Sequence, residues 1–200
     1  ISERLSQISS RFSDNLLDAT NAWSHYAEGG GIAGIPQDVL AAAREAAQAE
    51  GKPGWKFTLH APSYLPVMQY ADHRALRERV YRAYVTRASE FGKAEWDNTP
   101  LIVEILKLRR EMARLLDFES YAEYSLEPKR GESARQVLDF HGQLAARARP
   151  YAVRHLEEVT AFARAELGLK SLEAWDLAYC SEKVRAKRYS FSDQEVKQYF

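Results

Sequence analysis

Apolar residues recur along most of this chain at intervals of three and four, the spacing that puts them on one face of a helix. Phe12, Leu16, Ala19 and Trp23 follow it, and they predict a first helix over residues 2–27. Gly29-Gly30-Gly31 ends that helix and reads as a flexible link, because it lacks the spacing and the Lys-Ser/Thr ending of a phosphate loop. Pro36 opens a second, alanine-rich helix at its first turn, where a missing N–H costs nothing, and Gly51 closes it. After the turn Lys52-Pro53-Gly54 the period changes. Trp55 to Leu59 alternates bulky and polar residues and is the one good strand candidate. A single strand makes no sheet, so its partner must come from elsewhere in the chain or from beyond it.

Helical spacing then resumes. Pro62 and Pro66 punctuate a short helix, and Asp72 is placed to cap the next, which carries Leu76, Val80, Tyr84 and Ala88 on one face. Thr99-Pro100 is a cap-and-start signal for Leu101, Ile105, Leu108, Met112 and Leu115. The opposite face, with Glu104, Lys107, Glu111 and Arg114, predicts a solvated surface of i,i+3 and i,i+4 pairs. Ser133 is placed to cap a long helix to about Leu167, with a stripe of Val137, His141, Leu144, Ala148, Tyr151, His155, Val159 and Phe162. Pro150 should kink or split it. Two further helices are expected near 173–188 and 193–200, the second announced by the capping-box pair Ser192 and Glu195. The expectation is an all-α, multi-helix fold with at most a short strand or hairpin near 55–60. Residues 1–200 read as one helical region of a larger fold, with sub-boundaries at 29–35 and 51–54.

Composition narrows the function classes. Of 200 residues, 46% are hydrophobic, enough for a core, and 28 basic residues balance 28 acidic ones. A zero net charge gives little long-range attraction to nucleic acid or an anionic membrane, so neither is expected as a partner. Cys180 is the only cysteine, which rules out an intrachain disulfide and a cysteine zinc cluster and suits a reducing, cytoplasmic location. No apolar run approaches the ~20 residues that span a bilayer. The first residue is Ile1, and the last three, Gln198-Tyr199-Phe200, fall inside an apolar-periodic stretch, so both ends read as cuts in a longer protein.

Candidate chemistry is sparse. None of His25, His60, His73, His141 and His155 lies three to five residues from another, so no H-x-x-x-H pair exists. His141 and His155 share a helical face but stand ~21 Å apart along an unbroken helix, too far to share a zinc. Histidines at a packing boundary are the expectation there. His25 and Glu28 are one turn apart, but beside the glycine link they read as a solvated pair. There is no G-x-S-x-G, and Cys180 has no base partner in the sequence, so it reads as a small buried residue. Lys183, Arg185, Lys187 and Arg188 spread around a helix and read as solvated rather than as a phosphate-binding patch. Tyr64, Tyr70, Tyr81, Tyr84, Tyr121, Tyr124, Tyr151 and Tyr179 fit either half-buried core or the lining of a peptide groove. Expected catalytic and metal-binding residues are therefore none, and substrate-binding residues remain unassigned.

Particular words say more than the periodicity does. Phe12-Ser13-Asp14-Asn15-Leu16-Leu17-Asp18-Ala19-Thr20, Gly34-Ile35-Pro36, and Phe57-Thr58-Leu59 followed by Pro62-Ser63-Tyr64-Leu65-Pro66-Val67-Met68 resemble the thimet oligopeptidase family of zinc metallopeptidases. Tyr81-Arg82-Ala83-Tyr84, Gln136-Val137-Leu138-Asp139-Phe140, Ala145-Ala146-Arg147-Ala148-Arg149-Pro150 and Trp175-Asp176-Leu177-Ala178-Tyr179 continue the resemblance in order along essentially the whole chain. Cys180 departs from it, standing where a second tyrosine is usual, and so does Lys129-Arg130, where Lys-Met is usual. The resemblance implies a zinc site made of an H-E-x-x-H helix and a more distant glutamate, C-terminal to the matched region. No position here inherits those roles. It further implies two mostly helical lobes walling a deep channel that admits short peptides. These residues would then be a non-catalytic helical part of such a peptidase, binding no zinc themselves. The rival expectation is a catalytically inactive helical scaffold or peptide-binding module. Wide apolar helix faces also predict self-association.

Overall fold

A computed structural model of the chain describes residues 1–129 and 131–189. Among the described residues it contains eight α-helices and one two-stranded antiparallel sheet. The chain divides into two compact units.

The unit formed by Ala19–Arg87 and Leu156–Phe200 holds the main core. Its first element is a strand, β1 (Ser24–Ala27), where the 3.6-residue spacing predicts helix; helix α1 (Ser2–Asn21) stops short of it. The strand pairs with β2 (Trp55–Thr58) in the register Ser24↔Thr58 to Ala27↔Trp55, which supplies the partner that an isolated strand at 55–59 requires. Four residues are too few to show an alternation, so this pairing has no local signature. β2 puts Phe57 wholly inside, and a Cβ on Gly54 (φ +83°) would lie 2.2 Å from the Ala27 carbonyl oxygen, so the approach of the two strands requires glycine there.

Helix α2 (Gln37–Ala49) begins after Pro36 and buries Leu40, Ala43 and Ala47, a spacing of three and four that lays one face on the sheet. Gly51, at φ +66°, follows its end. Helix α3 (Ala61–Tyr70) takes Pro62 in its first turn and Pro66 in its interior, and buries Val67 and Met68. Helix α4 (Arg74–Val85) is capped by His73, whose Nδ1 accepts from the Leu76 amide at 3.2 Å, and not by Asp72, which serves Tyr179 instead. It ends at Val85, so Ala88 lies outside it, at φ 51°.

The other unit comprises Ile1–Asp18 and Ala88–His155. Here α1 packs beside α5 (Thr99–Leu115) through Asn98, which stands at the N-cap position of α5 without a side-chain capping bond; Thr99, the sequence expectation for the cap, lies inside the helix and its amide donates to Asp97 Oδ1 at 2.9 Å. Asn98 is buried and bonded on three sides: its Nδ2 donates to the Phe12 carbonyl at 3.0 Å, its Oδ1 accepts from Asn15 at 2.9 Å, and its backbone amide donates to the Ala88 carbonyl. Arg4 grips Glu104 with two hydrogen bonds of 2.7 and 3.0 Å. Short α6 (Tyr121–Leu126) is capped by Ser120.

Helix α7 (Ala134–Leu167) starts after Ser133, whose Oγ accepts from the Gln136 amide. Pro150 lies inside this helix without splitting it: losing one N–H bond does not end a helix with intact turns on both sides. Its expected stripe is only partly covered. Val159 packs on a small cluster with Ala163, Tyr179 and Cys180, whereas His141, Leu144, Ala148, Tyr151 and His155 are exposed. The two histidines are thus not at a packing boundary, because no described neighbour covers that stretch of helix. A one-turn 3₁₀ helix at Ala174–Asp176 leads into α8 (Leu177–Tyr189). The helix expected at 193–200 and the Ser192–Glu195 signal lie outside the described residues. Among the described residues no helix is long and apolar enough to cross a membrane.

Candidate functional site

Among the described residues a dense polar cluster lies where α4 meets the start of α8. Glu173 and Asp176 cap the 3₁₀ turn reciprocally, with Asp176 Oδ2 accepting from the Glu173 amide at 3.1 Å. That fixes the Asp176 carboxylate, which has no solvent exposure, between two guanidinium groups. Arg77 donates to Oδ1 at 2.8 Å, and Arg74 donates to both oxygens, at 2.6 Å to Oδ2 and 3.1 Å to Oδ1.

Arg77 is itself buried and spends its other N–H groups on the carbonyl oxygens of Ala71 (2.6 Å), Asp72 (3.3 Å) and Trp175 (3.3 Å). The Tyr179 ring lies 4.0 Å from its guanidinium carbon, and the Tyr179 hydroxyl donates to Asp72 Oδ1 at 2.7 Å. Burial pushes the Asp176 pKa up, but the hydrogen bonds from Arg74, Arg77 and the Glu173 amide outweigh it and hold the carboxyl below its ordinary value. Burial, with the bond to Asp72, pushes the Tyr179 phenol well up. Burial also raises the Cys180 thiol, with Asp176 adding to the effect. A carboxylate held ionised by two cations is a weak base, and a thiol kept protonated is a weak nucleophile. The cluster clamps helices together and offers no reacting group.

Next to it, Tyr64 and Tyr84 stack at 3.9 Å with Arg87 over Tyr84 at 3.6 Å, while Trp175 lies between Tyr81 (6.2 Å) and Arg82 (4.8 Å). Tyr64, Tyr81 and Tyr84 are half-buried, Tyr179 is buried and Tyr151 is exposed. Each member of the basic group on α8 meets a carboxylate: Lys183 with Asp72, Arg185 with Glu182, Lys187 with Glu166 and Arg188 with Glu158. Such pairing leaves little free positive charge for a phosphate backbone.

Beside the His25–Glu28 pair, the Arg79 guanidinium lies 3.3 Å from His25 Nδ1, so a cation at that nitrogen would meet a like charge. Among the described residues no group of three or more His, Cys, Asp or Glu side chains could hold a metal ion. Sequence reasoning misses Arg77, Asp72 and Asp176 as partners, since Arg77 and Asp176 are 99 residues apart and spacing rules do not reach that far.

Among the described residues the fold is mostly helical, and its clamp joins residues about a hundred positions apart. Comparison with known proteins then fixes the family. A family model described as Peptidase family M3 matches residues 67–200, and the chain belongs to that family. It is 48% identical over 203 residues to oligopeptidase A of Salmonella typhimurium, covering 100% of this chain and 30% of that protein. It is 38% identical over 212 residues to the probable cytosolic oligopeptidase A of Arabidopsis thaliana, of which it covers 29%. The same figure, 38% over 212 residues, holds for the chloroplastic/mitochondrial organellar oligopeptidase A of that plant. The chain therefore spans less than a third of the length of the curated relatives it matches. The two plant relatives carry different compartments in their names, so likeness alone assigns none here.

Proposed function

We propose that these residues form a non-catalytic helical part of a zinc-dependent oligopeptidase that hydrolyses internal bonds of short peptides in the cytoplasm. The zinc ligands would come from residues other than these 200. The observation that carries this reading is the 48% identity with an oligopeptidase A along 100% of the chain. The lack of a three-ligand group among the described residues supports the non-catalytic assignment. In this reading the Arg77–Asp176 clamp keeps α4 and α8 rigid as wall, so that a peptide meets a preformed surface.

The test compares two purified proteins: these 200 residues, and the product of the complete reading frame that contains them. Bound zinc is measured by mass spectrometry, and cleavage is followed with an internally quenched short peptide, with and without a chelator. Chelator-sensitive cleavage by the complete product and none by the 200 residues is expected. Stoichiometric zinc with chelator-sensitive cleavage by the 200 residues alone would overturn the reading. A complete product that binds peptide but neither zinc nor cleaves would favour an inactive helical peptide-binding module.

A further inference from the structure

Between β1 and the start of α4 lies a cavity of about 480 Å³, with His25, Glu28, Gly31, His73 and Arg79 in its lining. Its hydrogen-bonding character follows from what the ring nitrogens already do. A guanidinium only donates, so at 3.3 Å from Arg79 the His25 Nδ1 accepts, and the ring proton is on Nε2. His73 Nδ1 accepts from the Leu76 amide, so its proton is on Nε2 as well. Both imidazoles and the guanidinium therefore have N–H groups left to offer and no lone pair. The first turn of α4, a helix of 12 residues, adds the partial positive charge of a helix N-terminus on the side of Ala75, the Leu76 amide being already taken by His73.

Among the described residues no carboxylate lies within ion-pair distance of Arg79. Glu28 is the one acidic side chain in the lining, and it is exposed. A metal ion is a poor fit, since both Nδ1 atoms are engaged and the nearest charge is positive.

We propose that this cavity binds an oxyanion group, a carboxylate or a phosphate, held by the His25 and His73 imidazoles and the Arg79 guanidinium. The His25 pKa agrees: it is lowered by burial first and then by the charges of Arg79 and His73, the uncompensated repulsion that an anion would relieve. The proposal does not rest on the peptidase reading and stands or falls apart from it.

The test is a histidine-ring NMR titration of the protein across pH 5–8 at one ionic strength set with sodium chloride. The probes are inorganic phosphate, N-acetyl-dialanine and N-acetyl-dialanine amide. The apparent His25 pKa is expected to rise by about one unit with a bound oxyanion. Arg79→Gln, at an exposed position that should leave the fold intact, is expected to weaken binding about tenfold, the loss of one charge-assisted hydrogen bond. A response to phosphate alone points to free phosphate as the source. A response to the acetylated dipeptide but not to its amide points to a peptide C-terminus. Identical titrations in chloride and in every probe, or full binding by the Arg79→Gln protein, would overturn the proposal.

Discussion

Arg77 and Asp176 form an ion pair at 2.8 Å with 1% and 0% of their side-chain surface exposed. Taking two such charges out of water costs several kcal/mol per ion, and their mutual attraction with the surrounding hydrogen bonds offsets it. Removing one partner leaves the other charged and buried. Asp176→Ala is therefore expected to destabilise the protein by about 3–5 kcal/mol in urea unfolding. The double change Arg77→Met with Asp176→Leu should recover only part of that loss, because the Ala71, Asp72 and Trp175 carbonyls lose their donor as well. A single Asp176→Ala protein within 1 kcal/mol of the parent, as judged against the ~0.5 kcal/mol typical of surface changes, would contradict the clamp.

The same carboxylate gives stability an acid limb. Its folded pKa lies below the ordinary value of 3.8, because the bonds from Arg74, Arg77 and the Glu173 amide overcome the upward push of burial. The unfolded chain then takes up the proton first as pH falls. The contribution is complete above about pH 4 and is lost as pH drops through the lower folded value. Glu50, bonded by Lys56 and Tyr26, and Glu104, bonded by Arg4, shift in the same direction at the surface. The slope of unfolding free energy between pH 5 and pH 2 should accordingly be shallower in Asp176→Asn than in the parent, though not flat.

Two glycines with positive φ should respond differently to alanine. At Gly54 the new Cβ would lie 2.2 Å from the Ala27 carbonyl oxygen, whereas at Gly51 it would meet nothing within 4 Å. Gly51→Ala should cost about 1 kcal/mol, the strain of a left-handed residue. Gly54→Ala adds a backbone collision that parts β1 from β2, and should cost more than about 2 kcal/mol. Thermal unfolding of both proteins gives the comparison, and equal losses would count against the register described.

Cys180 has no exposed surface, and its thiol pKa is raised by burial and by Asp176. Reaction with a water-soluble disulfide reagent at pH 8 should be slow in the native protein and immediate in denaturant. Labelling in native buffer as fast as that of a free thiol would place the residue elsewhere.

Helix positions are legible wherever a one-sided apolar stripe meets a neighbour: Leu40, Ala43 and Ala47 on α2, or Leu76 and Val80 on α4. Long-range pairing is not legible. Ser24–Ala27 continues the helical spacing of Trp23, and only β2, across an intervening helix, makes it a strand. Capping is legible at Ser133, which accepts from the Gln136 amide, but not at Asp72, which is drawn away by Tyr179 and leaves His73 as the cap, nor at Thr99, which lies inside α5. The α7 stripe at Leu144 and Tyr151 shows that periodicity reports a face available for burial and not what covers it. Of the clamp, Trp175-Asp176 is visible only as a family word, since its physical meaning depends on arginines about a hundred residues earlier.

The unit that contains the clamp is written in two separated stretches, Ala19–Arg87 and Leu156 onward. A ribosome must therefore deliver everything between them before Arg77 can meet its counter-charge. Until then, the finished sheet and helices α2 to α4 carry a guanidinium whose intended cavity is open on one side. Closing a loop of that length is entropically slow, and the order of synthesis makes it late. Assembly of this unit is timed by the arrival of Trp175 and Asp176. The first half of the unit must stay soluble while it waits, and that interval is where a growing chain is exposed to misassembly.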